Sequence, residues 1–99
     1  MLVKMPGARP DALRVTFRFP SIIWAESVHL TGDFNNWSRL AHPMRRPEDS
    51  DSWELTLELP KNRQFEYRYL VNGDTWCNDC NADSYVADPY GTYNSVVHT

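Results

Sequence analysis

The residues best suited to chemistry in this chain are two tryptophans, an arginine and two short polar side chains. Trp37 closes "GDFNNW" (32–37) and Trp76 closes "NGDTW" (72–76). Each follows a turn at a strand edge and lies outside any alternating apolar run. Arg68 faces outward on the strand leading into Trp76, and Thr92 and Asn94 share one face of the last strand. Large aromatics are buried on average, so one role for the two rings is a lid folded over the end of a sandwich. The other is an exposed platform. Sugars present flat patches of C–H that pack on an aromatic face, while their hydroxyls seek polar partners. Exposed Trp rings flanked by a long donor and an amide suit that task.

Other chemistries have weaker support. Cys77 and Cys80 form a single CxxC, "CNDC". A structural zinc site needs four ligands, and no second CxxC or matching His pair accompanies this one. A redox CxxC opens a helix, whereas this one follows a β-turn, so two reduced thiols in a loop are expected. His29, His42 and His98 are scattered without a nucleophile–base pattern, and His29 is expected on a solvated face. Glycoside hydrolysis needs two carboxylates held across a cleft, and no such pair stands out. The sequence therefore predicts no catalytic residue, no metal and no cofactor.

The elements that must position these residues are strands. "LRVTFRF" (13–19), "SVHLTG" (27–32), "SWELTLEL" (52–59) and "QFEYRYLV" (64–71) alternate apolar and polar residues with the period of two of a half-buried strand. Leu13, Val15, Phe17 and Phe19, then Val28 and Leu30, then Trp53, Leu55, Leu57 and Leu59, and then Phe65, Tyr67, Tyr69 and Val71 are the inward set. "NGD" (72–74) is a hairpin signal, with a short returning strand near Thr75–Cys77, and "TYNSVVH" (92–98) is a last strand. Residues 38–51 and 78–91 read as loops, Asp88-Pro89 as turn chemistry, and Trp24 as a packed ring. Residues 1–12 read as a loose lead-in. No segment shows a 3.6-residue period. Short strands between turn signals predict an all-β fold, an antiparallel β-sandwich.

At 99 residues one domain is expected. A formal charge of −3 gives no basic face for nucleic acid and no reason to invoke an anionic membrane surface. The apolar runs are too short to span a bilayer, and the N-terminus lacks a signal-peptide core, so a cytoplasmic location is expected. Aromatic content is high, at 13% with four Trp and five Tyr.

Three stretches, "VHLTGDFNNW" (28–37), "FEYRYLVNGDTW" (65–76) and "DPYGTYNSVV" (88–97), together resemble carbohydrate-binding module family 48. That family includes the glycogen-binding domain of the AMP-activated protein kinase β subunit and the early-set domains of isoamylases and branching enzymes. The resemblance covers residues 13–99 and implies an immunoglobulin-like β-sandwich that binds α-1,4-glucan. It implies that Trp37 stacks on one glucose ring and Trp76 on another. Arg68, where the kinase modules have Lys, would donate to glucose hydroxyls, as would Asn94 with Thr92 beside it. Tyr90 stands where the kinase modules insert a Leu into the curved glucan.

The expectation is a non-catalytic module that targets an attached or associated enzyme to glycogen or starch. Its partners would be the glucan and a glycogen-metabolising enzyme or kinase. The rival expectation is an early-set protein-interaction domain in which sugar binding is vestigial, its exposed β edges docking on a partner.

Overall fold

The computed structural model describes residues 1–21 and 24–99. The described elements are β1 (Leu2–Pro6), β2 (Ala12–Pro20), β3 (Val28–Gly32), a single 3-10 turn (Asp33–Asn35), β4 (Ser52–Pro60), β5 (Gln64–Val71), β6 (Thr75–Cys77), β7 (Ser84–Ala87) and β8 (Tyr93–His98). They form an immunoglobulin-like antiparallel β-sandwich. One sheet has the order β1-β2-β4 and the other β3-β5-β8-β7, with β6 also paired to β5.

The core is built by the alternation the sequence displays. Val15, Phe17 and Phe19 of β2 face Leu30, Tyr67, Tyr69 and Val97 of the opposite sheet, all buried. Trp53 is core as expected. Phe17 meets Tyr67 edge to face at 5.0 Å, and Tyr67 meets Tyr69 at 5.9 Å, the geometry aromatic quadrupoles favour. A carboxylate lies among these rings. Asp79, 2% exposed, accepts the Tyr67 hydroxyl at 2.8 Å and the Tyr69 hydroxyl at 3.2 Å. Its amide donates to Ser95 Oγ at 2.9 Å. The buried phenols are thereby satisfied, and the segment after β6 is tied under the sandwich.

Several segments depart from the sequence reading. Residues 2–6 are not a loose lead-in but strand β1, paired with β2 from Leu2↔Phe17 to Pro6↔Leu13. The missing signal was alternation. Lys4 sits opposite the buried Val15 and would read as outward, yet its ammonium reaches Asp83 beside the other sheet at 2.6 Å. An inward charge on an edge strand also discourages further strand pairing. Within 78–91, Ser84–Ala87 form the edge strand β7. Its four residues are too few to show a period.

Trp24 does not pack but is 53% exposed. The backbone around it is held by Asn72, which donates to the Trp24 carbonyl at 2.9 Å and accepts the Glu26 amide at 2.7 Å. These bonds fix the chain without burying the indole. His29 is half-buried rather than solvated, paired through its backbone region with Pro43, and its Nδ1 is shut off from solvent. Segment 42–45 explains this. It runs along β3 through Leu30 N–H to His42 C=O and Met44 N–H to Val28 C=O, then joins β4 at Arg45↔Glu54, bridging the two sheets.

Candidate functional site

The site forms on the outer face of the larger sheet, where one strand replaces another beside β5. Along one edge, β5 pairs with β8 from Gln64 to Tyr67 and with β6 from Tyr69 to Val71. Arg68 lies at the gap between them. Its register partner on the other edge is Thr31 of β3.

Trp37 is delivered by the turn after β3. Asn36 and Trp37 both adopt left-handed backbone, with φ of 55° and 57°. Such a conformation is uncommon for a bulky residue and needs support. Asn35 provides it. Its Oδ1 accepts the amides of Gly32 and Ser38, and its Nδ2 donates to the Leu30 carbonyl and to His42 Nδ1 at 2.8 Å. Gly32 is required for close packing: a Cβ there would lie 2.4 Å from the Glu66 carbonyl oxygen. Asp33 accepts the Trp37 indole N–H at 3.0 Å and, with its other oxygen, the Glu66 amide at 2.8 Å. The indole plane is therefore referenced to β5.

Trp76 arrives by a different route. The turn at 72–74 has φ of 53° at Asn72 and 76° at Gly73, the left-handed pair of a tight hairpin, and returns the chain so that Trp76 pairs with Leu70. The two indoles meet with centroids 6.4 Å apart and planes inclined at 60°. The Arg39 guanidinium lies 5.5 Å from the Trp76 centroid, within cation–π range.

Between the rings and β8 lies an open groove of about 250 Å³, lined by Trp37, Arg68, Trp76, Asp88, Pro89, Tyr90 and Asn94. Five of the six residues singled out in the sequence line it. The sixth, Thr92, stands behind it in the polar network. Arg68 donates from Nε to Asn94 Oδ1 at 2.6 Å, and from Nη2 to Asp88 Oδ2 at 2.6 Å and Thr92 Oγ1 at 2.7 Å. Asn94 Nδ2 donates to Glu66 at 3.0 Å. Tyr90 projects from the rim, 90% exposed.

Asp88 and Arg39 were not expected in the site. Asp88 accepts the Tyr90 and Thr92 amides at 2.9 Å each, and the Thr92 hydroxyl. The Thr92 hydroxyl above all, with the Thr92 and Tyr90 amides and Arg68, holds its carboxyl down at about 2. As a sequence signal Asp-Pro marks only a turn, yet the same turn folds the acid back onto Arg68. No spacing rule relates residue 39 to residue 76, and only the fold brings them together. Cys77 is partly buried against the core and Cys80 is exposed. Burial pushes the Cys77 thiol up.

Two indoles and a polar wall on one open groove are the parts of a sugar-binding surface. The family model for carbohydrate-binding module 48, the isoamylase N-terminal domain, matches residues 6–91. The chain belongs to carbohydrate-binding module family 48. Among similar proteins, the 5'-AMP-activated protein kinase subunit beta-1 of Sus scrofa is 33% identical over 90 residues, covering 91% of this chain and 63% of that protein. The 1,4-alpha-glucan branching enzyme GlgB of Novosphingobium aromaticivorans is 36% identical over 67 residues, 64% of this chain and 9% of the enzyme. Glucoamylase-1 of Schizophyllum commune is 32% identical over 82 residues, 76% of this chain and 14% of the enzyme. The chain thus spans less than two thirds of each of these relatives. Among the described residues of this family 48 module, no helix is long and apolar enough to cross a membrane.

Proposed function

We propose that this module binds α-1,4-glucan without catalysing its turnover. The observation that carries the reading is the pair of indoles on one groove, inclined at 60° and 6.4 Å apart, with Arg68 and Asn94 on the wall. Flat β-1,4-linked chains present their sugar faces in nearly parallel planes. An α-1,4-linked chain turns between residues, so successive rings can each lie on one of two inclined platforms. Tyr90 at the exposed rim adds a third surface. Trp37, Trp76, Arg68, Tyr90 and Asn94 are assigned to contact, and Thr92 to support of Arg68.

A binding role rather than a catalytic one is favoured by the state of the acid in the groove. Asp88 accepts from four protein donors, which leaves it no spare capacity for proton transfer. If stacking resembles that on nucleobases, each Trp contributes about 1–3 kcal/mol. Two rings with a few polar bonds give a dissociation constant between about 1 mM and about 10 μM. Such an affinity suits a module that holds an attached or associated enzyme on a polymer, where repeated sites raise the effective grip.

The test is tryptophan fluorescence of the folded module titrated with maltoheptaose, with cellohexaose as control. A saturable change with the α-linked sugar alone is expected. No change with maltoheptaose would overturn the reading.

A further inference from the structure

We infer that Asp88 is a positioning residue of this groove: by holding one amino group of Arg68, it presents the other, Nη1, as a fixed donor to adjacent hydroxyls of a glucose ring. The inference rests on the glucan reading of the groove. Of the three donor groups of Arg68, Nε is taken by Asn94 and Nη2 by Asp88 and Thr92. Among the described residues Nη1 donates to none. The guanidinium is planar and its fork is rigid, so holding Nε and Nη2 also fixes the place and direction of Nη1. The pair is partly buried, with the Arg68 side chain 17% and the Asp88 side chain 10% exposed. Charge-assisted bonds at such a place are short and strong.

The carboxylate acts through Arg68 rather than on the sugar. It accepts from the Tyr90 and Thr92 amides, the Thr92 hydroxyl and Arg68, which accounts for its lone-pair sites. The position explains why a clamp is needed. Arg68 lies where β8 has left β5 and β6 has not yet joined it, so no directly paired residue stands on that side to confine a long side chain. The same carboxylate closes the turn that carries Tyr90, with Gly91 at φ 87°. One acid therefore sets both the cation and the rim ring. The pair of donors left on Nη1 suits neighbouring hydroxyls in the gluco arrangement, such as O2 and O3 of an α-1,4-linked residue.

A double-mutant cycle with maltoheptaose, read by calorimetry, tests this. Asp88→Asn and Asp88→Ser each keep an acceptor for the turn amides while removing the charge, and each is measured alone and with Arg68→Ala. Both Asp88 variants are expected to weaken binding roughly five- to tenfold in the parent, and by less than about twofold when Arg68 is already Ala. Thermal melts verify folding, and if one Asp88 variant fails to fold the other decides. Equal losses in both backgrounds, affinity unchanged in the parent, or unfolding of both Asp88 variants would overturn the positioning role. Failure of the parent module itself to bind maltoheptaose would overturn the glucan reading and this inference together. Binding by the parent with any of the other adverse results would overturn this inference alone.

Discussion

Trp37 and Trp76 meet edge to face, 6.4 Å apart with planes inclined at 60°, although they come from two unrelated turns. One ring is held by Asp33 and the other lies against the Arg39 guanidinium. Neither belongs to the buried core cluster. Their contact joins the end of β3 to the hairpin after β5 and forms one wall of the groove.

Trp37→Ala and Trp76→Ala should each weaken maltoheptaose binding by about 1–3 kcal/mol. Because the rings touch, the double variant should depart from additivity. The melting temperature should change little, since both side chains lie outside the core. Calorimetric titration of the three variants, paired with thermal melts, separates lost platforms from lost fold. A large drop in melting temperature with unchanged affinity would mean that the rings serve as lids.

Gly32→Ala should destabilise the module by about 1–3 kcal/mol. Its backbone is extended, so the cost is steric. The new Cβ would lie 2.4 Å from the Glu66 carbonyl oxygen and 2.9 Å from Tyr67 Cβ, neither of which is the free end of a flexible side chain. Denaturant unfolding measures it, with a lower midpoint at constant slope as the expected result.

Asn35→Ala should cost about 1–3 kcal/mol, because the Gly32 and Ser38 amides lose a partly buried acceptor. The effect should extend to binding, since the same turn holds Trp37 in left-handed backbone. A proportionate fall in both midpoint and maltoheptaose affinity is expected. Unchanged affinity would show that Asp33 alone suffices to place the indole.

Alkaline pH should act on the fold through Tyr67 and Tyr69. Burial, then proximity of Tyr69 and Asp79, pushes the Tyr67 phenol far above its ordinary value of 10.0. Burial and Asp79 do the same for Tyr69. The unfolded chain would release these protons near 10.0 while the folded chain retains them. The stability these groups contribute is therefore complete below about pH 10 and declines as pH rises above it. Ultraviolet difference spectroscopy should show Tyr67 and Tyr69 ionising only together with global unfolding. Ionisation of Tyr67 or Tyr69 in a still-folded sample would contradict this.

Acid should leave the groove intact well below neutrality. The carboxyl of Asp88 is lowered from 3.8 to about 2, so its contribution is present above the unfolded value and lost as pH falls through about 2. Carbon-detected NMR of the Asp88 carboxyl should find its midpoint in that region. A midpoint at the ordinary aspartate value would mean that the clamp on Arg68 does not hold in solution.

Much of the fold was legible because strands with one buried face must alternate. "LRVTFRF", "SWELTLEL" and "QFEYRYLV" carry that period, and their inward residues form the core or, like Leu13, Leu55, Leu57 and Phe65, pack half-buried against it. The turn chemistry of "FNN" and "NGD" was likewise local, since left-handed backbone restricts residue choice at a few positions. These features placed Trp37 and Trp76 at turn exits and Arg68 on an outward face. Strand β1 and strand β7 were not legible. Lys4 breaks the pattern to reach Asp83, and four residues of β7 hold too little periodicity. What only the tertiary structure decided was proximity. The 60° angle between the indoles, the cation at residue 39 over the ring at residue 76, and Asp88 folded back on Arg68 all depend on how separate turns converge across a twisted sheet. Local sequence sets what each segment can form, whereas the distances between segments follow from packing the whole chain around one core.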